Sequence, residues 1–105
     1  KAISVVHLGG WPANMPAILE LAGAHGIAVI EDCAQAHGAS IQGQSVGSFG
    51  EVSAWSFCQE KIISTCGEGG MVTTNDAALA DRLRALRSHG IVRGTQALEQ
   101  NAALL

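Results

Sequence analysis

The first 32 residues change hydrophobic period twice, and that alternation leaves few folds open. Ile3 to Leu8 is β-branched and apolar, which predicts a strand. Gly9-Gly10-Trp11-Pro12 supplies a turn, with Pro12 placed at or before a helix start. Met15, Ile18, Leu19, Leu21 and Ala22 recur at helical spacing, predicting an amphipathic helix over about residues 13–25. Gly26, following His25, is a stop signal. Ile27 to Ile30 is a short continuous apolar run, as a buried parallel strand requires. Strand, helix and strand in that order form a βαβ unit, whose crossover should be right-handed.

The rest of the chain extends this pattern. Ala34 to Gly38 reads as a turn or short helical piece. Ala39 to Val46 reads as an exposed extended excursion with Gly43 in a turn, and Gly47 to Gly50 as a second turn. Val52 to Phe57 is a third core strand, and Gly69-Gly70 opens a fourth over Met71 to Thr74. Asn75 or Asp76 should cap a helix over 77–88, with Leu79, Leu83 and Leu86 on its core face and His89-Gly90 at its end. Beyond Gly90 the signal fades, so residues 1–90 read as one domain portion and 91–105 as a divergent tail. The class is α/β with a mostly parallel sheet. A parallel strand at Ile3 with nothing before it would be an unprotected edge, so the chain reads as a piece of something larger.

Composition removes several functions. Hydrophobic residues make up 48% and charged residues 14%, a balance that favours a buried core over a disordered tail. The net charge is −3 without a Lys/Arg cluster, which argues against nucleic-acid and anionic-membrane partners. Arg82, Arg84 and Arg87 lie beside Asp81 and read as a solvated helix face. Cys33, Cys58 and Cys66 are odd in number and form no CxxC pair, which argues against a disulfide framework and for the cytoplasm. Cys58 and Cys66 with a histidine match no common zinc spacing, so no metal is expected. No apolar run approaches the ~20 residues of a membrane span, and no signal-peptide pattern opens the chain.

The chemistry-bearing residues gather at one end of the predicted sheet. Lys61 is one of two lysines, the other being Lys1. It follows the third strand and precedes Gly67-Glu68-Gly69-Gly70. A single lysine just past an apolar strand suits imine chemistry, which uses an uncharged amine as nucleophile. Asp32 closes the second strand. In open α/β sheets, ligands collect outside the carboxyl ends of the strands, and both residues belong there. An acid and an amine at one rim suggest pyridoxal phosphate (PLP), which needs a Schiff-base lysine and an acid facing its ring nitrogen. Each residue also has a plain reading. Asp32 could cap the Cys33–Gly38 turn, Gln35 could be a satisfied turn amide, and Ser56 could bond the backbone of its strand. Lys61 could be a solvated loop lysine and His37 a structural turn residue, and Gly67, Gly69 and Gly70 could serve only positive φ. No GxGxxG or GxxxxGK[ST] motif is present.

Taken together, five ordered blocks carry a resemblance. Val29 to Ala39 resembles the "EDAAQAHGA" signature of the DegT/DnrJ/StrS family of PLP-dependent sugar aminotransferases. Val46 to Gly50 is similar to its "xGSFGD" stretch, with Glu51 in place of Asp. Trp55 to Lys61 is similar to its "SFxxxK" motif, Gly67 to Asp76 to "GEGGxxxTND", and Arg87 to Gly90 to "RxHG". The resemblance implies part of the three-layer α/β/α large domain of a fold-type I PLP-dependent transferase. It implies Lys61 as the Schiff-base lysine and proton carrier, and Asp32 at the pyridine nitrogen. Gln35 would lie near the phenolic oxygen, and Ser56 would donate to the phosphate. It further implies an amino-acid donor (commonly glutamate), a nucleotide-linked keto sugar as acceptor, and a homodimer. Dehydratases of the family carry histidine at the lysine position, so Lys61 argues for transamination.

Two other readings stay open from sequence. One is a truncated, catalytically inactive α/β module that keeps only the fold and a self-association surface at its exposed first strand. The other is a doubly wound domain that binds a different phosphate ligand at the same rim.

Overall fold

The computed structural model describes residues 1–90. The chain divides into two compact units, residues 1–75 and 76–105. The expected divergent tail over 91–105 lies outside the described residues.

The first unit holds a four-stranded sheet and a small hairpin. Its elements are β1 (Ala2–Val6), α1 (Met15–His25), β2 (Ala28–Asp32), β3 (Ser40–Ile41), β4 (Gln44–Ser45), β5 (Val52–Ser56) and β6 (Gly70–Thr73). The sheet order is β1-β2-β5-β6. β1, β2 and β5 run parallel, with Val6 beside Asp32 and Asp32 beside Ala54. β6 runs antiparallel to β5, pairing Ser56 with Gly70. No helix of the first unit bridges residues 57–69, and a connection without a crossover helix returns antiparallel.

Local chemistry explains the boundaries. Asn14 Oδ1 accepts from the Ala17 amide at 3.4 Å, and Pro16 stands in the first turn of α1. Gly26 adopts the left-handed conformation (φ 59°), and the Ile27 amide donates back to the Ala22 carbonyl at 3.0 Å. This is a Schellman stop, and it sets the entry into β2. Met15 and Ala22 from α1 are buried with Val5 and Val29 of the sheet. Leu21, expected on that face, is instead 56% exposed, because it lies off the Met15–Ile18–Ala22 stripe.

One further expectation changes and another gains detail. The strand expected to reach Leu8 ends at Val6, and Leu8–Gly10 forms a 3-10 turn with Gly9 at φ 62°. The excursion over 39–46 is a hairpin, with Gln42 (φ 51°) and Gly43 (φ 85°) both left-handed as a two-residue primed turn demands. Glu51, at the family's Asp position, ties the sheet's other end. Its Oε2 accepts from the Val29 amide at 2.6 Å, and its own amide donates to the Val29 carbonyl at 3.0 Å.

In the second unit, α2 spans Ala77–Arg87. Asp76 is its cap, its Oδ1 accepting from the Leu79 amide at 3.0 Å. Ala85 is buried, Leu79 and Leu83 are half-buried, and Leu86 is exposed rather than on the core face. Arg84 pairs with Asp81 at 2.8 Å in full solvent, as expected of a solvated helix face.

Candidate cofactor site

Side chains alternate across a strand, and that rule sorts the rim. On β2, Val29 and Glu31 face α1's side of the sheet, while Asp32 faces the other. On β5, Ser53 and Trp55 share the Glu31 side, and Ser56 shares the side of Asp32. Asp32 and Ser56 therefore share one face at the carboxyl ends of two adjacent parallel strands.

Each carries both its plain role and a spare group. Asp32 Oδ1 accepts from the Ala34 amide at 3.0 Å, which is the turn cap that sequence allowed. Its Oδ2 has no donor among the described residues. Ser56 Oγ accepts from the Cys58 amide at 3.5 Å, leaving its O–H free to donate. Gln35 Oε1 accepts from the Gly9 amide at 2.7 Å. A backbone N–H must face an oxygen, so the Gln35 NH2 is the outward group. Lys61 is half-buried, in the loop between β5 and β6, and its amide donates to the Cys58 carbonyl at 3.0 Å. Its ammonium makes no hydrogen bond or ion pair to Asp32, Gln35 or Ser56 among the described residues. The fold thus brings Asp32 and Ser56 together and places Gln35 beside the 3-10 turn, with Lys61 on the loop that leaves the same strand end.

The opposite face carries a group that residue-by-residue reading passes over. Glu31 is fully buried and accepts four hydrogen bonds. Oε2 takes His7 Nε2 at 3.0 Å and the Gly47 amide at 2.7 Å. Oε1 takes the Phe49 amide at 2.8 Å and the Gly50 amide at 2.7 Å. His7 Nδ1 accepts from the Ala13 amide at 3.1 Å, so the ring proton sits on Nε2 and points at Glu31. Burial alone would push the Glu31 carboxyl up. The amides of Gly50 and Gly47, His7 and the Phe49 amide outweigh it, and the group lies below the ordinary carboxylate range. The Gly47–Gly50 loop has the build of an anion nest, but its amides are already spent on Glu31. Strand period is the signal that could find this: residues 31 and 32 must face opposite ways, and Glu31 shares Val29's side.

Cys33 is also buried there, and its thiol is pushed up to about 12 by burial and by the charges of Glu31 and Asp32. Ligand atoms of His7, Glu31 and Cys33 lie within 4.8 Å of one another. Glu31 and His7 form a hydrogen-bonded knot with the Gly47, Phe49, Gly50 and Ala13 amides, engaging both Glu31 oxygens and both His7 nitrogens, and Cys33 is buried beside it. His37 packs its ring between Trp55 (5.5 Å) and Phe57 (5.4 Å), and neither ring nitrogen has a hydrogen-bond partner among the described residues.

A family model for DegT/DnrJ/EryC1/StrS aminotransferases matches residues 1–103. The chain belongs to this family. It is 58% identical over 90 residues to the UDP-N-acetyl-3-dehydro-alpha-D-glucosamine 3-aminotransferase of Acidithiobacillus ferrooxidans, covering 86% of this chain and 24% of that protein. The solved aminotransferase from Psychrobacter cryohalolentis is 54% identical with a TM-score of 0.86, over 95% of this chain and 25% of that one. Another similar solved structure is GDP-4-keto-6-deoxymannose-3-dehydratase with a trapped PLP-glutamate geminal diamine. It is 34% identical with a TM-score of 0.79, covering 86% of this chain and 23% of its own. The chain spans about a quarter of the length of the curated relatives it matches. The expected α/β class with a mostly parallel sheet holds among the described residues.

Proposed function

We propose that this chain forms the central part of a cofactor-binding domain in a PLP-dependent aminotransferase. The enzyme moves an amino group from an amino acid, glutamate, to a nucleotide-linked keto sugar. The carrying observation is Asp32 and Ser56 on one face at adjacent strand ends, each with a spare polar group of the right kind. The donor set fits PLP: a carboxylate oxygen for a ring N–H, a hydroxyl for a phosphate, and an amine on the neighbouring loop. The relatives' names support the substrates. One relative carries a UDP-sugar in its name and another a dTDP-sugar. A family structure holds PLP with glutamate.

When bound, PLP supplies an electron sink for the pair released as the substrate Cα–H bond breaks. Asp32 Oδ2 would hold the proton on the ring nitrogen, because a nearby carboxylate favours the charged form of a base. The Gln35 NH2 would donate toward the ring oxygen and orient the ring. Ser56 O–H would donate to the phosphate. Lys61 Nζ would be the amine that holds the cofactor and the group that would accept and return a proton during the exchange. Lysine rather than histidine at position 61 favours transamination over dehydration. We place the protein in the cytoplasm as a homodimer whose sites draw on both subunits.

The test is spectroscopic. PLP added to purified protein gives an imine absorbance band that survives in Lys1→Ala and disappears in Lys61→Ala. A band that persists in Lys61→Ala overturns the assignment. No band in wild type supports the non-catalytic module instead.

A further inference from the structure

We propose that Glu31 is a positioning residue for the cofactor site, fixing the spacing of Asp32 and Ser56 from the opposite face of the sheet. The inference rests on the reading of Asp32 and Ser56 given above. Each of those residues directly follows a residue on the opposite face: Glu31 precedes Asp32, and half-buried Trp55 precedes Ser56. Gly47 bridges the two strands on that buried side. Its amide donates to Glu31 on β2, and its carbonyl accepts from Ser53 Oγ on β5 at 2.8 Å. Ser53 Oγ also meets Thr73 Oγ1 at 2.6 Å, and Trp55 Nε1 donates to the same hydroxyl at 3.0 Å. Gly47 has little room to shift, since a Cβ there would strike the Trp55 ring. The Cys33 amide, donating to the Ala54 carbonyl at 2.9 Å, extends the β2–β5 ladder past Asp32. An apolar side chain could fill the space of Glu31, and burying a carboxylate carries a desolvation penalty. What four directional bonds add is register, because packing tolerates sliding and hydrogen bonds do not.

The test compares Glu31→Gln with Met15→Ala, a core truncation outside the knot. Affinities for PLP and for phosphate-free pyridoxal are measured by absorbance titration at a temperature where both variants are folded. Amide hydrogen exchange is followed at Cys33 and Gly47. Glu31→Gln is expected to weaken both ligands about tenfold and to speed exchange at both amides. Met15→Ala lowers the melting temperature but leaves both affinities unchanged. A Ser56→Ala variant loses PLP affinity alone, which separates a lost phosphate contact from lost positioning. Folded Glu31→Gln that binds both ligands as wild type does, or whose Cys33 amide exchanges at the wild-type rate, overturns the proposal. Should Glu31→Gln not fold, Ser53→Ala removes the Gly47 bridge together with the Thr73 contact, leaves the Glu31 bonds in place, and must show the same paired loss in smaller measure. Wild type that takes up neither ligand removes the reading of Asp32 and Ser56, and this inference with it. Wild type that binds while Glu31→Gln is normal removes this inference alone.

Discussion

The stretch that anchors Glu31 and the loop that carries Lys61 are nearly adjacent in sequence and opposite in build. Residues 46–53 contribute buried Val46 and Ser53, and their amides and carbonyls close on Glu31 and Ser53. Residues 57–69 are fastened mainly at their base. The Phe57 amide donates to Gly69, and the Phe57 carbonyl accepts from both the amide and the hydroxyl of Thr65. Within that loop Ile62 is 71% and Ile63 58% exposed. The difference matches the two tasks proposed for the rim. An acid that holds a ring nitrogen must stay put, and it sits at a strand end braced from behind. An amine that carries protons between atoms must swing, and it sits on a lightly held loop.

The largest expected effect tests that contrast directly. Glu31→Ala leaves His7 and three amides without their buried acceptor and should lose about 3–5 kcal/mol of stability. Lys61→Ala removes a side chain without a partner among the described residues and should stay within about 0.5 kcal/mol of wild type. Parallel urea titrations measure both. Losses of similar size in the two variants would break the comparison.

Glycines sharpen it at intermediate scale. Gly47 sits at φ 81°, and an added Cβ meets the Trp55 ring, so Gly47→Ala combines backbone strain with overpacking. A loss of about 1–3 kcal/mol is expected. At Gly67, in the lysine loop, an added Cβ would meet nothing within 4 Å, and φ is not left-handed. Gly67→Ala should be neutral or stabilise by about 0.4–1 kcal/mol through the unfolded chain. Melting temperatures that fall equally for both would show the loop to be packed as tightly as the knot.

Sequence carried the elements further than it carried the knot. The Met15–Ile18–Ala22 stripe and the Gly26 stop are local signals, and α1 lies where they point. Asp32 is legible because it ends an apolar run, and a strand end in a parallel sheet is where ligands gather. Glu31 is not, since nothing within its own segment says that three amides sixteen to nineteen residues later will converge on it. His7 is absorbed into a predicted strand for the same reason. Its role depends on Glu31 across the sheet and on Ala13 in the following turn. Hydrophobic periodicity reports which face is apolar. It does not report which buried polar groups find partners through tertiary contact.

The last expected effect concerns pH and the two sides' cysteines. Cys33 is buried against Glu31, with its thiol raised from 9.0 to about 12, whereas Cys66 in the lysine loop is exposed. A raised folded-state value means that the folded chain keeps the Cys33 proton after the unfolded chain has released it. Its contribution to stability is therefore complete below 9.0 and is lost as pH rises from there through about 12. Unfolding midpoints should fall across that alkaline window, and Cys33→Ala should flatten the fall. The same asymmetry predicts that a thiol reagent labels Cys66 in the native protein and reaches Cys33 only on unfolding. Equal labelling of Cys33 and Cys66 in the native protein would place the two thiols in equivalent surroundings, and the division between a braced face and a loosely held loop would not survive it.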